Sequence, residues 1–367
     1  MKFKISKDIF FPVIQKVGSL AKPRPNMPVL SNLLIDATEG KLTVTGTDTE
    51  LEMVASFSDF ELLESGSTTI PAKKLLDLVK GFPAGATLTF TLKDNDVVLS
   101  TGRNRYKLQT MPSSDFPRSG DFEEIFTIKT KQNLLNELMR KISFSMAKQD
   151  VRYYLNGLFI SANSDGIVGV TTDGHRMSVG RITEAEVSGE GTIIMPSKTV
   201  AELTKVVDNI DDELEISVSN SSIMTTIGGL TIKSKLVDGK YPDYKRVIPR
   251  NSTSMIKAEI KPFIQNLRMA MVLANEKFRG ITLTCNETEV EITTQNPQGE
   301  GATEYCPITF DGKEELVVSY NGDYLIAALN SIESNEVTIK QSTAHAACLI
   351  EDPSNKNFYY VVMPVRI

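Results

Sequence analysis

The stretch Ile70-Pro71-Ala72-Lys73 recurs as Met195-Pro196-Ser197-Lys198, 125 residues further along the chain. Each copy follows a Thr-Asp pair, Thr47-Asp48 or Thr172-Asp173, with 23 positions from the aspartate to the proline in both cases. A third motif lies 46 positions beyond that proline, as Asp115-Phe116-Pro117 and as Lys240-Tyr241-Pro242-Asp243. Two spacings that agree without a gap indicate an internal repeat.

A third copy follows in the same order, with weaker similarity. An amphipathic helix over 262–274 precedes strands over 280–285 and 290–294, and a second helix covers 321–332. The copies therefore predict three domains of similar size, over 1–120, 126–250 and 255–367. Neither boundary carries a long Pro-, Gly- or Ser-rich linker, so we expect the domains to pack in a row.

Each copy contains the same predicted elements. A short opening strand is followed by a helix with apolar residues at helical spacing, such as Ile9, Val13 and Val17 in the first copy. Alternating segments, such as 41–45, predict strands, and a second helix follows them. We therefore predict an α+β fold with two helices and about eight strands in each copy.

Charge is distributed unevenly along the chain. The net charge is −6, which by itself argues against a nucleic-acid partner. However, the six predicted helices carry 14 Lys or Arg against 8 Asp or Glu, so the remainder of the chain is strongly acidic. One interpretation is ordinary solvated helix faces; the other is a basic helical layer that attracts phosphates without reading bases. The segregation of charge favours the second interpretation.

Several protein classes are disfavoured by composition. No apolar run approaches the length of a membrane span, and the N-terminus lacks the organisation of a signal peptide, so we expect a cytoplasmic protein. The cysteines Cys285, Cys306 and Cys348 are odd in number and form no CxxC pair. We therefore expect neither disulfides nor a metal site, and we expect no cofactor.

An enzyme is the competing functional class. The best catalytic candidate is Asp173 with His175 and the nearby Ser178, because residues two apart on a strand share a face. No GxSxG elbow, HExxH motif or Walker loop accompanies them. Asp48 occupies the same repeat position in a copy without histidine, which favours a structural role in a turn. We therefore expect no catalytic residues.

Five ordered motifs now connect the chain to a family. The sequence resembles the bacterial DNA sliding clamps, the beta subunit of the replicative DNA polymerase III holoenzyme, from its first residue to its last. The resemblance is carried by 147–157 (AKQDVRYYLNG), 172–176 (TDGHR), 234–244 (SKLVDGKYPDY), 275–280 (NEKFRG) and 361–367 (VVMPVRI). These motifs are long and occur in a fixed order, so they are more specific than a short glycine motif.

The resemblance implies an assembly and a function. Two chains would close head to tail into a homodimeric ring, with helices lining the pore. Such a ring is a processivity factor for DNA replication: it encircles double-stranded DNA without sequence preference and tethers the polymerase catalytic subunit. A clamp loader and other replication and repair proteins would be further partners. Family interface positions match Tyr106, Val272 and Leu273. The alternative is a peptide-binding scaffold that does not encircle DNA.

The resemblance also implies a groove for the peptide motifs of partner proteins. Apolar walls with a few polar groups suit such peptides. Relative to the common family pattern, Met177 replaces leucine and Ala347 replaces serine, which changes the groove only mildly. The matching positions are Leu155, Thr172, Gly174, His175, Arg176, Met177, Pro242, Arg246, Val247, Val361, Val362, Met363, Pro364, Val365 and Arg366.

Two sets of residues are predicted to contact DNA. Family positions facing DNA match Arg24, Gln149, Arg152, Tyr153, Tyr154 and Lys198. Charge and repeat position add Lys73, Lys74, Arg103, Arg105, Lys277 and Arg279. Contacts to phosphates suit sliding, because base-specific hydrogen bonds would hold the ring at one sequence.

Overall fold

The structure, a computed structural model, describes residues 1–366; Ile367, the last residue of the predicted third domain, lies outside that range. Six α-helices are formed: α1 (Lys7–Gly18), α2 (Ala72–Gly81), α3 (Gln132–Ile142), α4 (Ser197–Val206), α5 (Ile260–Met271) and α6 (Gly322–Leu329). They alternate with antiparallel strands in three successive groups. The fold is therefore the predicted α+β arrangement of three tandem copies.

The strands number nine, nine and eight in the three copies, close to the eight predicted for each. The first copy contains β1 (Lys2–Ser6), β2 (Asn32–Thr38), β3 (Lys41–Thr47), β4 (Leu51–Phe57), β5 (Glu61–Glu64), β6 (Gly66–Pro71), β7 (Thr87–Lys93), β8 (Asp96–Thr101) and β9 (Asn104–Gln109). The second contains β10 (Phe126–Lys131), β11 (Gly157–Asn163), β12 (Gly166–Thr172), β13 (Arg176–Ile182), β14 (Glu186–Ser188), β15 (Gly191–Pro196), β16 (Glu213–Val218), β17 (Ser222–Ile227) and β18 (Leu230–Lys235). The third contains β19 (Ser254–Glu259), β20 (Gly280–Cys285), β21 (Glu289–Gln295), β22 (Gly301–Phe310), β23 (Leu316–Asn321), β24 (Glu336–Gln341), β25 (Cys348–Asp352) and β26 (Asn355–Val362).

Contacts divide the chain into two compact units. The first combines Met1–Lys129 with Glu213–Leu236, and the second combines Thr130–Asp212 with the chain from Val237 onward. In the first unit, one sheet has the order β5-β1-β7-β8-β9 and another contains the run β16-β17-β18-β4-β3-β2-β6. In the second unit, one sheet has the order β15-β11-β12-β13-β26-β25-β24-β19-β22-β21-β20-β23. Strands of successive copies therefore join edge to edge, at β4–β18 and at β13–β26.

The repeat appears at the start of the second helix of each copy. The residues that cap α2, α4 and α6 are Pro71, Pro196 and Asn321, which are spaced by 125 residues. The fixed φ of proline suits the entry to a helix, and both prolines adopt φ −55° there. Asn321 instead accepts hydrogen bonds from the backbone amides of Asp323 and Tyr324. The third copy therefore keeps the entry to this helix with a different cap residue.

Helix boundaries in the third copy differ from the prediction. Helix α5 starts at Ile260, earlier than the predicted 262, and ends at Met271, before 274. Pro262 falls in the first turn, where its missing amide has no helical acceptor. Helix α6 ends at Leu329 instead of 332. The opening strand β19 ends at Glu259, directly before the helix.

The cores are apolar, and the cysteines belong to them. In the first unit, the rings of Phe3 and Phe90 stack at 4.7 Å. Cys285, Cys306 and Cys348 are buried on strands and unpaired. Burial raises the pKa of Cys285 to about 12 and that of Cys348 to about 11. These thiols are protonated at neutral pH and act as small apolar residues.

Across residues 1–366, no helix is both long and apolar enough to cross a membrane.

Candidate functional site

A tight turn between β12 and β13 organises one rim of the candidate groove. The Oδ1 atom of Asp173 accepts hydrogen bonds from the backbone amides of His175 (2.9 Å) and Arg176 (3.0 Å). Its Oδ2 atom accepts from the Nε atom of Arg176 at 3.0 Å. Thr172 accepts from the amide of Gly174, which has φ +90°. The turn therefore holds Gly174 to Arg176 in one fixed shape.

This geometry supports the structural role of Asp173. Its carboxylate binds backbone amides and a guanidinium, and Ser178 is buried with its hydroxyl 2.6 Å from the Ser145 hydroxyl. The conceivable Asp–His–Ser constellation is therefore not assembled.

The equivalent turn in the first copy has the same hydrogen bonds. Asp48 Oδ1 accepts from the amides of Glu50 (3.1 Å) and Leu51 (2.8 Å). Thr47 accepts from the amide of Thr49, which has φ +79° where the second copy has glycine. Because these positions have no histidine, the Thr-Asp pair is a feature of the repeated fold.

A cavity of about 160 Å³ opens beside the β12–β13 turn. Its walls come from this turn, from the segment that leaves the second copy, and from the C-terminal strand. The lining residues are Arg152, Leu155, Thr172, Gly174, His175, Arg176, Met177, Tyr241, Pro242, Asp243, Tyr244, Val247, Ala347, Val361 and Met363. We call this cavity the apolar groove, because most of these side chains present carbon atoms.

The floor of the apolar groove is a packed cluster. Leu155, Met177 and Val361 are buried in it. The ring of Tyr241 stacks on Phe159, with centroids 4.7 Å apart. Burial raises the pKa of Tyr241, so its phenol remains protonated. A rigid floor of this kind is preorganised for a ligand.

Aromatic and cationic groups form one polar wall. The guanidinium carbon of Arg176 lies 4.4 Å from the ring centroid of Tyr324. The His175 ring stacks near the same tyrosine, with centroids 6.5 Å apart. Asp173 fixes the Arg176 side chain from the other direction. Arg176 is thus held by an ion pair and by a cation–π contact.

The C-terminal strand closes the apolar groove. Strand β26 pairs with β13, with Val362 opposite Arg176 and Val361 opposite Met177. Beyond it, the amide of Met363 donates to the His175 carbonyl at 2.9 Å, and the amide of Val365 donates to the Ser319 carbonyl at 2.8 Å. The tail is therefore bound along its backbone.

Ten of the fifteen predicted groove residues line this cavity. Tyr241 and Tyr244 were missed, although they stand in the quoted motif and flank Pro242. Val362 is buried, and Arg246 is bound to Asp243 at 2.9 Å. The predicted residues outside the lining are Arg246, Val362, Pro364, Val365 and Arg366.

Comparison with known families identifies all three copies. A model of the DNA polymerase III beta subunit N-terminal domain matches residues 1–119, the central-domain model matches 129–243, and the C-terminal-domain model matches 245–366. The chain belongs to the DNA polymerase III beta subunit family. The name of the family describes a non-catalytic accessory subunit of a DNA polymerase. This agrees with the expectation that the chain is not an enzyme.

Individual beta subunits are similar over their full lengths. The beta sliding clamp of Escherichia coli K12 is 35% identical, with all of both chains covered. A crystal structure of the Pseudomonas aeruginosa sliding clamp with ligand is 32% identical, with a TM-score of 0.96 and full coverage of both chains. Another crystal structure of the P. aeruginosa clamp, bound to griselimycin, gives a TM-score of 0.95 at the same identity and coverage.

The predicted DNA contacts of this beta subunit homologue lie mainly in loops and first helical turns. In the first unit, Lys73 and Lys74 are exposed at the start of α2, Arg103 is exposed at the β8–β9 turn, and Arg105 is exposed on β9. Arg24 lies in the loop after α1, with its Nη2 atom 3.8 Å from Asp48 Oδ2. Their contact with DNA remains a prediction.

In the second unit, Arg152 is held within the chain. Its guanidinium binds Asp150 at 2.8 Å and the Asp173 carbonyl at 3.1 Å, and it lines the apolar groove. The hydrogen bond from Arg152 lowers the pKa of Asp150 to about 2. Arg279 is likewise bound to Asp323, with Nε 2.8 Å from the carboxylate. A DNA contact by either arginine must therefore compete with an existing ion pair.

The other candidates in the second unit have different surroundings. Tyr153 is exposed and meets Tyr154 edge to face, which suits either base stacking or local packing. Gln149 has φ +56° in the same loop. Lys277 lies over the Phe278 ring, and Lys198 is in the first turn of α4.

The three interface candidates lie in the first and third copies of the repeat. Tyr106 is on β9, with its ring 5.4 Å from that of Phe82. Val272 directly follows α5, not within it, and is 73% exposed. Leu273 is half-buried beside it. An exposed valine of this kind is compatible with burial in a partner.

Proposed function

We propose that this chain is a sliding clamp, the processivity factor of a replicative DNA polymerase. Two chains would close head to tail around duplex DNA, and the apolar groove would hold peptide motifs of the polymerase, the clamp loader and other replication and repair proteins. The observation that carries the proposal is the match of three beta subunit domains, in order, along the chain. The protein would act in the cytoplasm on nucleoid DNA, without a cofactor.

The strand edges support a closed ring. Successive copies join by antiparallel pairing at β4–β18 and at β13–β26. By the repeat, β22 corresponds to β4 and β13, whereas β9 corresponds to β18 and β26. Strand β9 ends its sheet, and within the described chain Gly301–Pro307 of β22 pairs only with β21. A third junction of the same type, formed between two chains, would cover both edges.

Charge and exposure at these edges are complementary. Strand β9 and its turn carry Arg103, Arg105 and Lys107, whereas Glu300 and Glu304 lie at the open end of β22. Apolar side chains are also exposed near β22, where Val272 and Tyr305 are 73% and 54% exposed. An interface with an apolar centre and opposite charges at its rim has the usual composition of protein contacts.

The helices supply the charge for sequence-independent DNA binding. Within their observed bounds, the six helices contain 11 Lys or Arg and 5 Asp or Glu, although the whole chain is acidic. A pore lined by these helices would attract the phosphates of DNA. The acidic remainder of the chain, on the outside of the ring, would repel them.

Topological retention is the experiment that tests the clamp function. The protein is loaded onto nicked circular plasmid with a clamp loader, and the plasmid is then linearised. A clamp remains on the circle and leaves the linear form. Equal retention on both forms would instead indicate ordinary salt-dependent binding, and retention on neither would favour a peptide-binding scaffold that does not encircle DNA.

The two equivalent turns provide a matched pair of variants. Asp173→Ala removes the acceptor that fixes His175 and Arg176, so we expect the dissociation constant of a groove-binding peptide to rise about tenfold. Asp48→Ala removes the same acceptor from the first copy and should leave that affinity unchanged. Fluorescence anisotropy with a labelled peptide rich in Gln and Leu measures both. Equal losses in the two variants would mean that the turn has only a general effect on folding.

A further inference from the structure

The first unit contains a second groove that repeats the apolar one. Its volume is about 390 Å³. Its walls are the β3–β4 turn, the segment that leaves the first copy, and the neighbouring ends of β17 and β18. The lining residues are Thr47, Thr49, Glu50, Leu51, Pro117, Arg118, Ser119, Gly120, Asp121, Ser221, Ser222, Lys233 and Lys235. We call it the basic groove, after the two lysines of β18.

The correspondence between the two grooves extends to single hydrogen bonds. The amide of Lys235 donates to the Glu50 carbonyl at 2.9 Å, just as the amide of Met363 donates to the His175 carbonyl at 2.9 Å. The Asp-centred turn is equivalent in both, and Pro117 takes the place of Pro242. The two grooves therefore share one backbone arrangement. It occurs once where the first copy adjoins the second and once where the second adjoins the third.

The side chains of the basic groove select a different ligand. Lys233 and Lys235 replace Val361 and Met363, which are apolar. Ser119 replaces Tyr244, and Ser222 replaces Ala347. The apolar anchors for a hydrophobic peptide are thus absent from these positions, and cations and hydroxyl donors stand there instead.

The lysines are available to an anion. The ammonium group of Lys233 donates to the Gly120 carbonyl and lies 5.6 Å from the Phe122 ring centroid. Among residues 1–366, no carboxylate forms an ion pair with Lys233 or Lys235, and Lys235 is exposed. By contrast, Arg118 is bound to Asp36 at 3.2 Å.

We propose that the basic groove docks a short acidic segment of a partner protein. Its Asp or Glu side chains would meet Lys233 and Lys235, and the exposed hydroxyl of Ser119 would donate to the same carboxylates. Glu50 and Asp121 also line the groove and would repel such a segment, so its acidic side chains must contact the two ammonium groups directly. A concave groove of this size accommodates an extended peptide rather than a convex duplex. The inference rests on the proposed clamp function in one respect, which is that the apolar groove binds peptides.

The test uses the intact protein and a short fluorescein-labelled peptide that alternates Asp and Ser. Binding is measured by anisotropy at about 10 mM and about 150 mM salt, since screening distinguishes exposed charge contacts. Lys233→Glu/Lys235→Glu is expected to raise the dissociation constant about tenfold or more. Lys233→Val/Lys235→Met, which restores the residues of the apolar groove, should do the same without adding negative charge. The control Lys41→Glu/Lys313→Glu makes the same charge change at exposed lysines elsewhere.

A labelled peptide rich in Gln and Leu, measured on the same samples, reports on the apolar groove and on folding. The proposal is supported if both groove variants lose the acidic peptide while the control variant still binds it. All three variants should retain binding of the Gln/Leu peptide. Equal losses in the control, or no binding to the native protein, would overturn it. The proposal would also be overturned if duplex DNA, but not the acidic peptide, protected the two lysines from chemical acetylation. Failure of the Gln/Leu peptide alone would contradict the clamp function and leave the basic groove standing.

Discussion

Lys107→Pro is expected to convert the dimeric ring into monomers at concentrations where the native protein is dimeric. The turn between β8 and β9 has two residues, Gly102 and Arg103, and Thr101 pairs with Asn104 across it. Antiparallel alternation then directs the amides of residues 105, 107 and 109 away from β8, toward the open edge. Proline at 107 removes one of these donors while leaving the β8–β9 ladder in place.

The expected loss combines one interchain hydrogen bond with one partner carbonyl left unsatisfied. Together these cost about 3 kcal/mol, which raises the dimer dissociation constant about a hundredfold. Sedimentation velocity measures the dimer, and retention on nicked plasmid should fall with it. Lys107→Ala is the control, because it keeps the amide while it removes the same side-chain charge, including the exposed ion pair with Asp96. If the proline variant dimerises as the alanine variant does, β9 is not the interface.

The repeat made most of the fold predictable from the sequence. The spacing of Thr-Asp and of the two prolines located the turns and the second helices of the first two copies, because these residues have fixed backbone roles. The third copy replaces Pro71 and Pro196 with Asn321, which caps its helix through a side chain. Its helix ends were misplaced by two or three residues, since apolar periodicity continues beyond the hydrogen-bonded turns.

Junctions between copies could not be read from the sequence. The pairing of β4 with β18, and of β13 with β26, joins strands far apart in the chain, and alternation along each strand does not name its neighbour. For the same reason, the basic groove was not predicted, although all of its walls belong to the repeat. The predicted domain boundaries themselves remain a prediction.

The apolar groove was predicted from motifs and not from composition. Leu155, Met177 and Pro242 stand in stretches that resemble the family, and all three line the cavity. Tyr241 was missed because an aromatic residue beside a proline also suits an ordinary core. Asp173 illustrates the converse: its proximity to His175 suggests chemistry, whereas its hydrogen bonds show a turn.

Truncation after Val362 is expected to abolish most peptide binding while the dimer survives. The truncation removes the Met363 side chain from the groove wall and two backbone hydrogen bonds, to His175 and to Ser319. Loss of an exposed apolar side chain that the peptide would cover, with disorder of the adjoining wall, costs about 2–3 kcal/mol, so affinity should fall between roughly thirtyfold and a hundredfold. Isothermal titration with the peptide rich in Gln and Leu measures the loss.

The fold should tolerate this truncation, because β26 ends at Val362 and its pairing with β13 and β25 remains complete. Met363→Ala separates the side chain from the backbone: it keeps both hydrogen bonds and should lose about tenfold in affinity, from the apolar contact alone. Two results together would place the ligand against the tail: an unchanged dimer by sedimentation, and peptide binding that falls more in the truncated protein than in Met363→Ala. Normal peptide binding by the truncated protein would remove the C-terminal wall from the site, and the apolar groove would then be a structural cleft.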